Sequence, residues 1–230
     1  MKRFYRAVDF APRGGRFEVT LDAKPLASPG KRSFLLGEAV ARAVAAEWRA
    51  QGETVKFGTM PIMLLAARAV DLVGPERARV IGEVAGFAQT DMLCYRAEGP
   101  GDLVARQEAA WQPWLDWAAQ KYGARLAVVG GVMHEEQPAA ALAALRAAVA
   151  AHDDWRLSAL MQATQVLGSL VLGLAVVTDA ASPDQAIAAA ELDEAYQSEK
   201  WGDDPEALKR RATAARDVAT AARFVGLLDG

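Results

Sequence analysis

One cysteine, Cys94, stands in 230 residues. No disulfide can form within the chain, which excludes the small secreted folds stapled by several bridges and points to a reducing compartment. Histidine is almost as scarce: His134 and His152 are the only two. With Cys94 they offer no pair at metal-ligand spacing, so no metal and no cofactor are expected. Positive charge is not in excess either. Lys and Arg number 26 against 29 Asp and Glu, a net charge of −3, which argues against general nucleic-acid binding and leaves a basic protein partner open. Also missing is a membrane span of about 20 apolar residues. Val166 to Val177 is almost wholly apolar, but Ser158, Gln162, Thr164 and Gln165 occupy the first half of the uncharged segment between Arg156 and Asp179. That segment is predicted to be a central helix of a bundle, with Gly168, Ser169 and Gly173 allowing close helix approach. Met1-Lys2-Arg3-Phe4-Tyr5 carries no secretory apolar region of about 7–15 residues and no Ser/Arg-rich presequence. The expectation is a bacterial cytoplasmic protein without membrane insertion.

What the chain does have is a globular composition, 52% hydrophobic and 24% charged. Its first third reads as β-rich. Phe4 to Phe10 and Arg16 to Leu21 flank the turn cluster Pro12-Arg13-Gly14-Gly15, and Phe17, Val19 and Leu21 alternate with polar neighbours as a half-buried strand requires. Short strands near Lys24 to Leu26 and Ser33 to Leu36 are expected next. The period then becomes helical, with Ala39, Val40, Ala43, Val44 and Trp48 on one face of a helix ending near Gly52. Beyond about residue 58 helices dominate. Asp102, Ser182-Pro183-Asp184-Gln185 and Asp204-Pro205-Glu206 read as helix starts. Met92 to Arg96 and Arg125 to Val129 read as short strands that could return to the first sheet. The predicted fold class is α+β: a small β-rich N-terminal domain with one helix, residues 1–58, and a larger helical C-terminal domain, residues 59–230.

Catalytic motifs are weak. Gly30-Lys31-Arg32-Ser33 resembles the end of a phosphate loop, but Pro25 stands where the first glycine is needed and Arg32 where Ser or Thr is required. No nucleotide is expected. Cys94 has no activating neighbour in sequence, although a Cys94–His134 pair could form in the fold. The indoles of Trp111, Trp114 and Trp117 recur every three residues, with Pro113 expected to kink or restart their helix.

The chain's strongest local feature lies near its C-terminus. From Glu191 to Glu206 seven acids face one base, Lys200. Glu194, Gln197 and Trp201 fall at i, i+3 and i+7, so a carboxylate, an amide and an indole share one helix side. Asp193 and Glu194 diverge by about 100° on a helix, so Asp193, Glu194 and Glu199 do not form a metal cage by spacing alone. Trp201 can serve a core or an interface. An enzyme of unassigned type, using this acidic cluster or Cys94, is the alternative to a binding role.

The segment Leu192-Asp193-Glu194-Ala195-Tyr196-Gln197-Ser198-Glu199-Lys200-Trp201-Gly202 resembles the signature of the assembly chaperones of the F1 sector of ATP synthase, the family that binds the α subunit. Lys2-Arg3-Phe4-Tyr5, Val19-Thr20-Leu21-Asp22, Glu47-Trp48-Arg49-Ala50-Gln51, Met60-Pro61, Asp91-Met92-Leu93-Cys94-Tyr95-Arg96 and Trp111-Gln112-Pro113-Trp114-Leu115-Asp116-Trp117 follow the family's order. One departure is Asp22-Ala23-Lys24, where that family usually reads Asp-Gly-Arg. The resemblance implies a non-enzymatic chaperone for the F1 α subunit. Asp193, Glu194, Gln197, Glu199 and Trp201 are the expected partner-binding residues.

Overall fold

The computed structural model describes residues 1–229. The chain forms two compact units. The first comprises Met1–Arg77, Asp154–Ala159 and the chain from Arg223 onward; the second comprises Ala78–Asp153 and Leu160–Ala222.

The first unit is built on a four-stranded antiparallel sheet centred on β2 (Arg16–Leu21). β1 (Val8–Arg13) flanks it on one side; β3 (Lys24–Pro25) and β4 (Leu35–Leu36) share the other. Gly14 and Gly15 both take positive φ, 58° and 79°, the left-handed pair that a two-residue hairpin turn demands. The first strand begins later than the sequence pattern suggests and runs through Pro12. Tyr5 instead turns inward, and its hydroxyl donates to the Trp48 carbonyl at 2.7 Å.

The helix α1 (Glu38–Arg49) packs on this sheet and buries Val40, Ala41, Val44 and Trp48. Its last turn explains the Glu47–Gln51 block. The Glu47 carboxylate accepts from the amides of Ile62 and Met63, 2.8 Å each, and so caps α2 (Pro61–Arg68). Arg49 donates to the Val8 carbonyl, and Gln51 fixes the loop through Lys56 N and Thr59 Oγ1. Trp48 packs edge-on against Tyr5 and Phe57 within this unit. A π-helical turn, Ala69–Val73, follows α2.

The second unit is helical. It holds α3 (Arg77–Gly86, less its first residue), α4 (Gly101–Tyr122), α5 (Ala139–Ala150), most of α6 (Asp154–Leu167), α7 (Leu170–Val177), α8 (Pro183–Ala190), α9 (Leu192–Trp201) and most of α10 (Pro205–Leu228). Every residue of α7 is buried. The apolar run expected as one helix is in fact two, because Gly168 (φ 63°) breaks the chain and Ser169 caps α7 by accepting from Leu172 N. Gly173 does allow close approach: a Cβ there would press into the Thr164 hydroxyl and come within 3.1 Å of the Thr164 nitrogen.

Three other expectations need correction. The short strands β5 (Tyr95–Arg96) and β6 (Val129–Gly130) pair with each other in parallel and form a separate two-stranded sheet. α4 runs unbroken through Pro113; that residue is exposed, so its missing N–H falls on the wet side of the helix. Trp111 is buried and donates to the Ala189 carbonyl at 2.8 Å, while Trp114 and Trp117 are half-exposed. Asp102 is not the cap residue of α4, since Pro100 holds that position.

Candidate functional site

The acidic segment is helical, as its spacing predicts, and becomes α9. Asp193 and Glu194 lie in its first turn and Lys200 in its last, charges of the sign that the helix dipole favours at each end. Gly202 (φ 90°) stops it. Tyr196 is the one buried residue of this helix, and it anchors α9 to α4. Its hydroxyl donates to Asp102 Oδ1 at 2.9 Å, and Lys200 Nζ reaches the other oxygen at 3.5 Å. The guanidinium of Arg106 and the ammonium of Lys200 both lie over the Tyr196 ring, 5.3 and 5.1 Å from its centroid. The hydrogen bond from Tyr196, with lesser help from Lys200, holds the Asp102 carboxyl below its ordinary range.

This anchoring divides the five expected contact residues. Glu199 pairs with Arg106 at 2.7 Å, and Asp193 accepts from Gln107 Nε2 at 2.8 Å. Gln107 is itself buried and spans to the Ala97 amide through its other amide atom. These two carboxylates are directed toward α4. Glu194, Gln197 and Trp201 stand on the other side of the helix, all exposed. Trp201 is 79% exposed, so it is not part of a core. Helical rotation separates Glu199 from them: residues 194, 197 and 201 lie within about 60° of one another, while 196 and 199 point away. Asp193, about 40° from Gln197, is held toward α4 by Gln107.

The negative balance of the segment is therefore partly engaged within the fold. Besides Asp193 and Glu199, Glu191 lies 3.4 Å from Arg211, and Asp204 caps α10 by accepting from Glu206 N. Burial, then the charge of Glu194, push the Glu191 carboxyl up. Glu194, Asp203 and Glu206 form no ion pair among the described residues. Asp102, Arg106 and Gln107 escaped sequence reasoning as supports of this helix, because they lie 86 to 98 positions away from their partners.

The other candidates have different surroundings. The Gly30 amide donates to Asp71 Oδ2 at 2.8 Å, and Ser28 Oγ donates to Asp71 Oδ1 at 2.5 Å. A carboxylate thus fills the place where a phosphate loop would present a free N–H. Cys94 is buried, and burial together with the charge of Asp91 pushes its thiol up to about 12, the opposite of thiolate activation. His134 is exposed and lies 3.4 Å from the Tyr95 hydroxyl. No three His, Cys, Asp or Glu side chains converge as a metal site among the described residues. No described helix is long and apolar enough to cross a membrane.

The sequence pattern of the ATP12 chaperone protein family matches residues 2–119. The chain belongs to the ATP12 chaperone family. Solved structures extend the likeness to nearly the whole molecule. Atp12 from Paracoccus denitrificans is 36% identical, covers 98% of this chain and 97% of its own, and superposes with a TM-score of 0.92. A point mutant of the same protein gives the same figures. An Agrobacterium tumefaciens protein, provisionally described as a chaperone, is 38% identical with a TM-score of 0.93, over 99% of this chain and 86% of its own. α9 lies beyond the residues matched by the family pattern but within the length shared with these structures.

Proposed function

We propose that this ATP12-family chain is an assembly chaperone for the F1 sector of ATP synthase, working in a bacterial cytoplasm. It holds the unassembled α subunit until β replaces it. An isolated α subunit exposes an apolar surface that is normally covered by β, and such patches drive aggregation. A partner that binds the folded, unassembled state stabilises it by mass action, by about 2.7 kcal/mol at a hundredfold excess over Kd. Release by competition requires no bond-making chemistry, so the chain acts without catalysis.

The observation carrying the reading, beside family membership, is the outer side of α9. Glu194, Gln197 and the 79% exposed Trp201 stand free there while the rest of the helix is tied to α4. Exposed tryptophan supplies affinity at interfaces, and carboxylates at a rim steer encounter. Asp193 and Glu199, engaged with α4, hold this helix in place and so support the proposed surface from its inner side.

That second role decides the test. A Glu199→Lys variant would set a lysine against Arg106 and disturb the support as well as the surface, so Glu194→Lys and Trp201→Ala are the cleaner pair. Both should melt like the parent and lose F1 α in co-purification from a host lysate. Full retention of α by the folded double variant would overturn the assignment of this surface. Recovery of no F1 subunit by the parent would overturn the function.

A further inference from the structure

The described residues expose nine large apolar side chains, and three of them, Met1, Phe4 and Phe57, line one cavity in the first unit. Its volume is about 440 Å³, within the range of sites that take a ligand or a bulky side chain. The deeper wall is apolar and aromatic: Tyr5, Leu26, Trp48 and Met63 are all buried there. Phe4, Tyr5, Trp48 and Phe57 pack edge to face in series, at centroid separations of 5.4, 5.3 and 6.2 Å, which gives the wall a rigid shape. Trp48 also keeps its indole N–H, itself buried, without an acceptor among the described residues.

The segment that supplies most of the cavity lining is basic. Residues 1–36 hold eight bases and three acids, whereas the whole chain is at −3. Two charged side chains line the cavity. The Asp22 carboxylate is engaged by the amides of Arg6 and Ala7 at 2.9 and 2.8 Å, while Lys24 forms no ion pair among the described residues. A further strand cannot extend the sheet readily at this edge, because β3 consists of Lys24 and Pro25 and proline offers no N–H. What fits is a side chain inserted from outside, flanked by negative charge.

We propose that this cavity is a second binding site, and that its occupant is a peptide segment of a partner protein bearing a bulky apolar side chain next to carboxylates. The aromatic wall takes the apolar group and Lys24 meets the acid. The site stands on the first unit alone and does not depend on α9.

The test uses two fluorescein-labelled peptides titrated against the full chain by fluorescence anisotropy: one alternating Glu with Leu and Phe, the other with Lys in place of every Glu. The Glu peptide should bind at least about tenfold more tightly than the Lys peptide, a difference of about one decade in Kd. Phe4→Ala, which removes an exposed wall, and Ala27→Trp, which fills the mouth from its lip, should each weaken the Glu peptide about tenfold. Lys24→Glu should invert the preference. All three positions are exposed, and unchanged thermal melts verify that the variants fold. Equal binding of the two peptides, or indifference of the Glu peptide to all three folded variants, overturns the proposal. So does a concentration-dependent dimer that Ala27→Trp abolishes, since a second copy would then be the occupant. Because no F1 subunit enters this experiment, its failure leaves the chaperone reading intact, and failure of the pull-down leaves this site intact.

Discussion

Ala23 holds a left-handed backbone, φ 63°, directly after Asp22 at φ 49°. The turn there is stabilised from outside, by the Asp22 carboxylate accepting two amides. Left-handed geometry strains an L residue by about 1–2 kcal/mol, partly offset because glycine loses more freedom on folding. Ala23→Gly should therefore raise the urea midpoint, with a gain of about 1 kcal/mol or less; a lower midpoint would show that the turn is unstrained. Asp91 is the second residue whose environment governs its behaviour. It is fully buried and accepts from Leu93 N and Val171 N. Burial outweighs these bonds and raises its pKa from 3.8 to about 6. The native state then binds more protons than the unfolded chain between those values. Its contribution is greatest below about pH 4 and declines as pH rises through 6, by up to about 3 kcal/mol. Asp91→Asn removes that titration. Urea midpoints of parent and variant, compared at pH 4 and pH 7, should shift relative to each other in this direction; a pH-independent difference would refute the linkage.

Among the elements, α6 and α7 meet where Gly173 faces Thr164. The contact is with backbone as well as side chain, so relief by rotamer change is incomplete. Gly173→Ala should destabilise by about 1–3 kcal/mol despite alanine's better helix propensity, measured as a lower melting temperature. An unchanged or higher value would mean that the helices slide apart freely. The same reasoning shows which helix signals in the sequence were reliable. Ser182 and Gln185 form the capping box their spacing predicts, and Asp204 caps α10, because caps are local chemistry. A restart at Pro113 was not decided locally: α4 continues through the proline, which stands exposed.

For the whole molecule, the first unit is not a continuous stretch of chain. It draws in Asp154–Ala159 and the residues from Arg223 onward, including Leu157 and Phe224, both fully buried. Ser158 also donates to the Leu65 carbonyl at 2.8 Å. A fragment of residues 1–77 lacks these groups, and truncating one buried Leu or Phe alone costs about 2–5 kcal/mol. The expected outcome is that the isolated fragment gives poorly dispersed amide resonances while the full chain gives well-dispersed ones. A folded fragment would show that the late segments are dispensable.

The ordered blocks of sequence determined the α+β class, the starts of α8 and α10, the helical acidic segment and the family, since periodicity, caps and turn residues act over a few positions. They also show why the resemblance is informative: Glu47, Trp48, Arg49, Gln51, Asp91 and Trp111 each hold another part of the backbone or fill the core. Which acids of α9 stand free was decided by the tertiary structure alone. Arg106 reaches Glu199 across 93 positions and Tyr196 reaches Asp102 across 94. A spacing rule gives the direction of a side chain on its own helix; what that side chain meets depends on the helix packed beside it.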